Sequence, residues 1–425
     1  MPPLFLRRTS LALAFACMTA AGSLQAAELR FSFDDSASAG FVRVSRSDVF
    51  TRDRAYGFEP TPPGSVPRHF TVRVPVEGNY RVTAILGSTT TPAITAIKTE
   101  LRRLAFEPIR TAANEVQTVV FIVNVRTPRI APRGDLPAGS VALKAPRETV
   151  QEAWAWDDAV TFEFVGESPA VRSLSIEPAD LPTVFLLGDS TVCDQSREPY
   201  ASWGQMLPRW FEPTIAVANH GESGETYRDS LTRRRIDKIL SVLRRGDWVL
   251  MQFGHNDQKQ IAAGTGGPFT TYQAEMKRHV DAIRAFGGQP VIVSPMERRH
   301  FDDDGTPLPT LADYARAARE AAERLGVPFI DLHAASIRLH AALGPEESAR
   351  AFAAPGGKID NTHHNNYGAY ELAKCIVQSV RELKLPLADF IVADFPDFDP
   401  SHPDDPAALA LLASAHFTNE RPLGD

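Results

Sequence analysis

The chain predicts an α/β unit, a parallel sheet covered by helices on both faces, preceded by an all-β sandwich. Three observations carry that expectation. At 425 residues the chain is long enough for two to three domains. From Glu28 to about Asp180 it runs in short stretches that alternate apolar and polar residues, with no helical stripe. After Pro182 the texture changes to five short apolar runs with helical patterns between them.

The first element is an export signal over residues 1–26. Arg7-Arg8 is followed by the apolar run Leu11 to Ala21 and then by small residues through Ala26-Ala27. That run is too short to span a bilayer as a permanent helix, so no stable membrane insertion is expected. Cys17 lies inside it, but Ala14-Phe15-Ala16 is a poor match to a lipoprotein signal. The expected destination is a bacterial periplasm or the medium. Residues 1–26 hold two arginines and no acid, so their removal takes the net charge from −7 to −9. A nucleic-acid binder normally carries a basic surplus, which argues against that class. Hydrophobic residues at 43% and charged ones at 23% exclude a disordered chain and a multi-span membrane protein.

The sandwich is expected over residues 27–181. Its strands are read at Leu29 to Phe33, Phe70 to Val74, Tyr80 to Ala84, Val119 to Val123 and Thr161 to Phe164. Glu77-Gly78-Asn79 reads as a hairpin turn between the second and third of these runs, and Thr127 to Arg147, rich in Pro and Arg, as a long loop. The α/β unit follows over residues 182–388. Its strands are read at Val184 to Leu187, Ile215 to Ala218, Trp248 to Met251, Val291 to Val293 and Phe329-Ile330, and its helices at Tyr272 to Phe286, Leu311 to Leu325 and Tyr367 to Leu383. Residues 389–425 read as an extended tail wrapped over the domain. Export leaves Cys193 and Cys375, whose pairing is open because spacing says nothing about Cα distance. No Cys/His spacing resembles a zinc site.

Parallel sheets bind ligands at the carboxyl ends of their strands, and four such ends carry chemistry here. The first is Gly188-Asp189-Ser190-Thr191, which puts a hydroxyl at the tip of the sheet; alone, that serine also reads as a helix cap. A serine needs a base to become a nucleophile. Asp360-Asn361-Thr362-His363 supplies one just before the last helix, with a carboxylate three residues from an imidazole. His364 is the rival imidazole, and His363 is preferred because its spacing suits a turn closing on Asp360. Gln252-Phe253-Gly254-His255-Asn256-Asp257 offers an amide for a developing oxyanion, and Asn219-His220-Gly221-Glu222-Ser223-Gly224 offers a glycine N–H. Each block alone reads as turn chemistry. Four complementary blocks at four strand ends do not.

These blocks resemble the SGNH branch of the GDSL hydrolases, and its rhamnogalacturonan acetylesterase group in particular, over about Thr183 to Leu383. The resemblance implies a flavodoxin-like three-layer α/β/α domain that needs no cofactor. It implies Ser190 as nucleophile, with Asp360 and His363 completing a triad, and an oxyanion hole of the Ser190 N–H, Gly224 and Asn256. Two departures stand out. Thr191 takes the place of the superfamily's leucine, and Gly224 is followed by Glu225-Thr226 instead of Arg-Ser, which leaves Gly221 as the fallback.

Related exported esterases join such a domain to a jelly-roll, galactose-binding-like sandwich, and the segment Tyr56-Gly57-Phe58-Glu59 is similar to that arrangement. The function implied is a secreted serine esterase acting on acetylated plant cell-wall polysaccharide, rhamnogalacturonan first. Arg298 and Arg299, after the fourth strand, read either as a grip on a galacturonate carboxylate or as an ordinary solvated loop, with Asp302-Asp303-Asp304 weakening any positive field there, and His255 is expected as a further substrate contact. The rivals are an acetylxylan or other carbohydrate O-acetyl esterase, and a non-catalytic glycan-binding protein that keeps the fold.

Overall fold

The computed structural model of the chain describes residues 28–34, 39–409 and 411–423; the expected export signal, with Cys17, lies outside the described residues. Two sheets pack together in the N-terminal part. One carries, in spatial order, Val42–Arg43, Leu29–Ser32, Val171–Pro178, Gly78–Leu86 and Gln117–Val125. The other carries Tyr56–Phe58, His69–Arg73, Ala159–Val165, Ala93–Thr99 and Arg103–Leu104, with Ile109–Thr111 also paired to Ala93–Thr99. Their inner faces share one apolar core, in which Tyr80, Val82 and Leu174 of the first sheet meet Phe58, Phe70, Phe162 and Phe164 of the second. The period of two that predicts strands is visible in Gly78–Leu86. Tyr80, Val82, Ala84 and Leu86 are buried there, and the residues between them are half-buried.

Glu77-Gly78-Asn79 does not close a hairpin. His69–Arg73 and Gly78–Leu86 belong to opposite sheets, so the connection crosses between layers. The Glu77 carboxylate accepts from the Thr127 N–H and hydroxyl and from the Lys238 ammonium instead. Turn residues mark where a chain reverses; which sheet the next strand joins is set by core packing. The stretch read as a long loop holds a two-stranded ribbon, Arg129–Ile130 against Gly139–Ser140. Its Ile130, Leu136 and Val141 pack into the core of the following α/β part.

That part is built on five parallel strands: β1 (Thr183–Gly188), β2 (Ala216–Asn219), β3 (Trp248–Gln252), β4 (Gln289–Val293) and β5 (Phe329–Ile330). Their spatial order is 2-1-3-4-5. The longer helices are α1 (Arg235–Val242), α2 (Gln273–Ala285), α3 (Ala312–Leu325), α4 (Leu332–Glu347) and α5 (Asn366–Glu382). Alternate residues of β1 feed different cores: Val184 and Leu186 pack with α4 and α5, while Phe185 and Leu187 pack with α1, α2 and α3. A strand buried on both faces is apolar at every position, which is why these runs show no alternation. Cys375 on α5 and Cys193, beyond the nucleophile turn, are both buried and free, so the pairing left open is not made.

The sandwich braces the loop that follows β1. Gln205 donates to the Leu101 carbonyl at 2.6 Å, Arg103 pairs with Asp194 at 2.7 Å, and Arg102 donates to the carbonyls of Gln195 and Tyr200. These groups are buried, and a charge left there without its partner would cost about 3–5 kcal/mol, so the contact holds one geometry. Beyond Asp389 the chain forms little regular structure, yet Phe395 and Phe398 reach the core beside α5, and Ser414 is buried against Glu163 and Glu198. Among the described residues no helix is long and apolar enough to cross a membrane.

Candidate active site

The site grows from the end of β1. Only glycine fits at Gly188, because a Cβ there would stand 2.5 Å from the Gln252 carbonyl oxygen and 2.4 Å from Val192 Cγ2. The chain then turns on Asp189, whose Oδ1 accepts the Thr191 N–H at 3.0 Å and hydroxyl at 2.8 Å, while its carbonyl accepts the N–H groups of Val192 and Cys193. Asp189 Oδ2 lies 3.2 Å from His255 Nδ1, so the loop after β3 clamps the turn after β1. Burial pushes the Asp189 carboxyl up, but the adjacent His255 and the Thr191 donors outweigh it and hold the group below its ordinary value. Ser190, 3% exposed, is further fixed by Gln195, whose amide donates to the Ser190 carbonyl at 2.7 Å.

The loop before α5 delivers the second half. The Asp360 backbone N–H donates to the Ala353 carbonyl, and Asp360 Oδ1 accepts the N–H groups of Thr362 and His363 at 2.9 and 3.1 Å. That turn points His363 Nδ1 at Asp360 Oδ2, 3.0 Å away, and leaves Nε2 2.9 Å from the Ser190 hydroxyl oxygen. A carboxylate only accepts, so Nδ1 carries the ring proton and Nε2 accepts from the serine hydroxyl. Burial raises the Asp360 carboxyl, but hydrogen bonds from His363 and Arg421 prevail and hold it well below the usual carboxylate range. The ring of Tyr200 stands edge-on to His363 at 5.8 Å. His364, the rival imidazole, turns inward against Phe352 at 4.1 Å, and burial drives it well below its ordinary value, leaving it neutral.

Asn256, 6% exposed, donates its side-chain amide to the Glu225 carbonyl at 3.2 Å, which ties it to the residue after Gly224. Gly224 holds φ +73°, a conformation that L side chains rarely adopt. The fallback Gly221 has its N–H engaged by Asn219 Oδ1 at 3.1 Å, and neither Ser190 nor Gly224 donates its N–H to a partner among the described residues. The structure thus joins Ser190, His363 and Asp360 through direct contacts and ties Asn256 to the residue after Gly224, on loops that follow three strand ends and precede α5.

The residues expected to touch substrate are placed differently. His255 is 1% exposed and braces Asp189 beneath the turn. Arg298 donates to Gln258, Thr310 and the His255 carbonyl. Arg299 donates to Ser348, Asn361 and the Pro345 carbonyl. Both guanidinium groups thus have protein acceptors, and Glu297, held down to about 2 against the effect of burial by His333 and Thr310, accepts the Arg298 backbone N–H and ties this loop to α4. Sequence reading missed the Asp189–His255 clamp, Gln195, Tyr200 and Arg421. The clamp alone had a signal, since its partners stand in two of the quoted blocks. Two cavities of about 620 and 530 Å³ flank the contact between sandwich and β2, and no triad residue lines either. Among the described residues no cluster of His, Cys, Asp and Glu is arranged to hold a metal ion.

The profile of the GDSL-like lipase/acylhydrolase family matches residues 186–372. The chain is 39% identical over 221 residues to rhamnogalacturonan acetylesterase RhgT of Bacillus subtilis, covering 49% of this chain and 94% of the relative. It is 31% identical over 215 residues to probable rhamnogalacturonan acetylesterase YesY of the same organism, covering 50% and 98%. A rhamnogalacturonan acetylesterase of Emericella nidulans is 25% identical over 234 residues, covering 50% and 91%.

Proposed function

The chain belongs to the GDSL-like lipase/acylhydrolase family and is a carboxylic ester hydrolase, and on that premise we propose that it removes O-acetyl groups from rhamnogalacturonan through a Ser-His-Asp acyl-enzyme. The observation that carries the mechanism is the unbroken chain of contacts from Ser190 Oγ to His363 Nε2 and from His363 Nδ1 to Asp360, at 2.9 and 3.0 Å. The activities named for the relatives support an acetylated polysaccharide substrate.

In the first half-reaction His363 Nε2 takes the Ser190 proton as Oγ attacks the acetyl carbonyl carbon. The resulting oxyanion is held by the N–H groups of Ser190 and Gly224 and by the Asn256 amide. The imidazolium, stabilised by buried Asp360, returns the proton to the departing sugar oxygen. Water, deprotonated by His363, then attacks the acetyl-serine, releasing acetate and restoring the hydroxyl.

Two measurements test this reading. Asn256→Ala is expected to lower kcat on a synthetic acetyl ester by about 100- to 1,000-fold with little change in KM, as for a donor that acts on the transition state. A change confined to KM would move the amide from the oxyanion to ground-state binding. Acetate release across acetylated plant polymers is expected to be fastest on rhamnogalacturonan; faster release from acetylated xylan would reassign the substrate to the hemicellulose side.

A further inference from the structure

The C-terminal segment reaches the Asp360–His363 pair through Arg421. Residues 414–418 are laced to the loop after the nucleophile. The Glu198 N–H donates to the His416 carbonyl at 2.8 Å, the Thr418 N–H to the Glu198 carbonyl at 2.7 Å, and the Ser414 N–H to the Glu198 carboxylate at 2.8 Å. The chain then passes over the site, with Thr418, Arg421 and Pro422 lining a small pocket beside Gln195 and Tyr200. Leu423 lies against Gly224, close enough that a Cβ on that glycine would stand 3.3 Å from its own Cβ. Arg421, about half exposed, extends into this gap, donating from Nε to Asp360 Oδ2 at 2.8 Å and from Nη2 to Oδ1 at 2.9 Å.

We propose that Arg421 is a positioning residue for catalysis: its guanidinium clamps both oxygens of Asp360, fixing the plane of the carboxylate that orients His363 and opposing protonation of that imidazole. The inference rests on the triad reading above. Five donors converge on one carboxylate: two backbone N–H groups, His363 Nδ1 and the two arms of Arg421. Arg421 Nε and His363 Nδ1 share Oδ2, so part of the negative charge that would stabilise an imidazolium is neutralised by a permanent cation. An ordinary surface ion pair does little, because water screens both ends. Here the carboxylate end is 1% exposed, and the field acts inward on the ring.

Three further groups stand near His363 among the described residues. Tyr200 faces the ring edge-on, His364 is buried and neutral beside it, and Asp189 is already paired with His255. The base works only when unprotonated, so removing a neighbouring cation makes protonation easier and moves the acid limb of kcat/KM to higher pH.

The test compares wild type, R421Q and R421K on a synthetic acetyl ester across roughly pH 4 to 9. R421Q is expected to move the acid limb up by about half to one pH unit, which is the scale of losing one charge near a partly buried ring. Its kcat is expected to fall about 10-fold through looser orientation, with KM nearly unchanged. R421K keeps the charge, and is expected to hold the wild-type limb and recover most of kcat. A limb in R421Q that coincides with wild type, or an equal shift in R421K, overturns the proposal. Loss of the folded state in both variants would show that the arginine merely anchors the tail, and also overturns it. Ser190→Ala separates the two levels: turnover retained there sinks the triad itself, whereas an inert Ser190→Ala with an unmoved R421Q limb sinks only the role of Arg421.

Discussion

Ser190→Ala lowers turnover of a synthetic acetyl ester by about 10,000-fold or more, the scale seen when a triad nucleophile is removed, and leaves the melting temperature within a few degrees of wild type. The two halves of that expectation have separate causes. Ser190 is 3% exposed, but its Oγ contacts only the imidazole of His363 among the described residues, so the deletion removes one hydrogen bond and no core packing. The turn itself is held by Asp189, Thr191, His255 and Gln195, none of which uses the hydroxyl. Acetate release that survives in this variant would remove Ser190 from the chemistry. A fluorophosphonate probe supplies an independent check, since it is expected to label wild type at Ser190 and not the alanine variant.

The second large effect separates two adjacent imidazoles. His363→Ala is expected to cost a similar factor in kcat, because Asp360 then has no ring to orient and the serine proton has no acceptor. His364→Ala is expected to behave as a core deletion. Its ring is 2% exposed, packed on Phe352 at 4.1 Å and stacked over His340 at 6.2 Å, so truncation leaves a cavity and costs about 2–4 kcal/mol of stability. Its kcat at a temperature where the variant is folded is expected to stay within a few-fold of wild type, since the alanine variant keeps the backbone bridges from residue 364 to Ala201 and Phe352 and no hydrogen bond from the ring reaches Ser190, His363 or Asp360 among the described residues. Kinetics and thermal melts of the two variants check this; a catalytic collapse in His364→Ala with an active His363→Ala would exchange their roles.

The pH profile gives the same chemistry in another form. In the proposed mechanism His363 acts as a base only while its ring is unprotonated, and the R421Q and R421K profiles test whether Arg421 bears on that step. The buried carboxylate stays charged throughout the working range, because the donors around it hold it well below the usual carboxylate value.

Much of the site was legible because its parts are local. Asp360 and His363 meet within one turn, and the turn closes through backbone N–H bonds that need only a three-residue spacing. Ser190 and Asn256 were readable because parallel strands deliver their carboxyl ends to one edge. The substrate contacts were less readable. Arg298 and Arg299 stand at such an edge, but Gln258, Thr310 and the His255 carbonyl accept from the first guanidinium and Ser348, Asn361 and the Pro345 carbonyl from the second. A charge in a strand-end loop has no sequence mark that tells a free donor from an engaged one.

The sandwich shows the same division. Alternation in Thr161-Phe162-Glu163-Phe164 located the strand Ala159–Val165, and the phenylalanines do face the core. The polar residues between them are buried as well: Thr161 meets Thr71, and Glu163 accepts from Ser414 of the tail. The α/β part and the C-terminal segment cover that outer face.

What this sequence determined by itself is therefore the order of the two parts, most of the parallel strands and the turn that joins Asp360 to His363, since each depends on residues a few positions apart, whereas the strands Ala93–Thr99 and Val171–Pro178 and the helices α1 and α4 left no pattern that was read. Tertiary structure decided which sheet each sandwich strand joined, how the sandwich braces the loop after Ser190, where Arg298 and Arg299 are spent, and that Arg421 meets Asp360 from 61 residues away. Periodicity and spacing encode neighbours along the chain, whereas contacts across it arise from packing whole faces against one another, which no local pattern records.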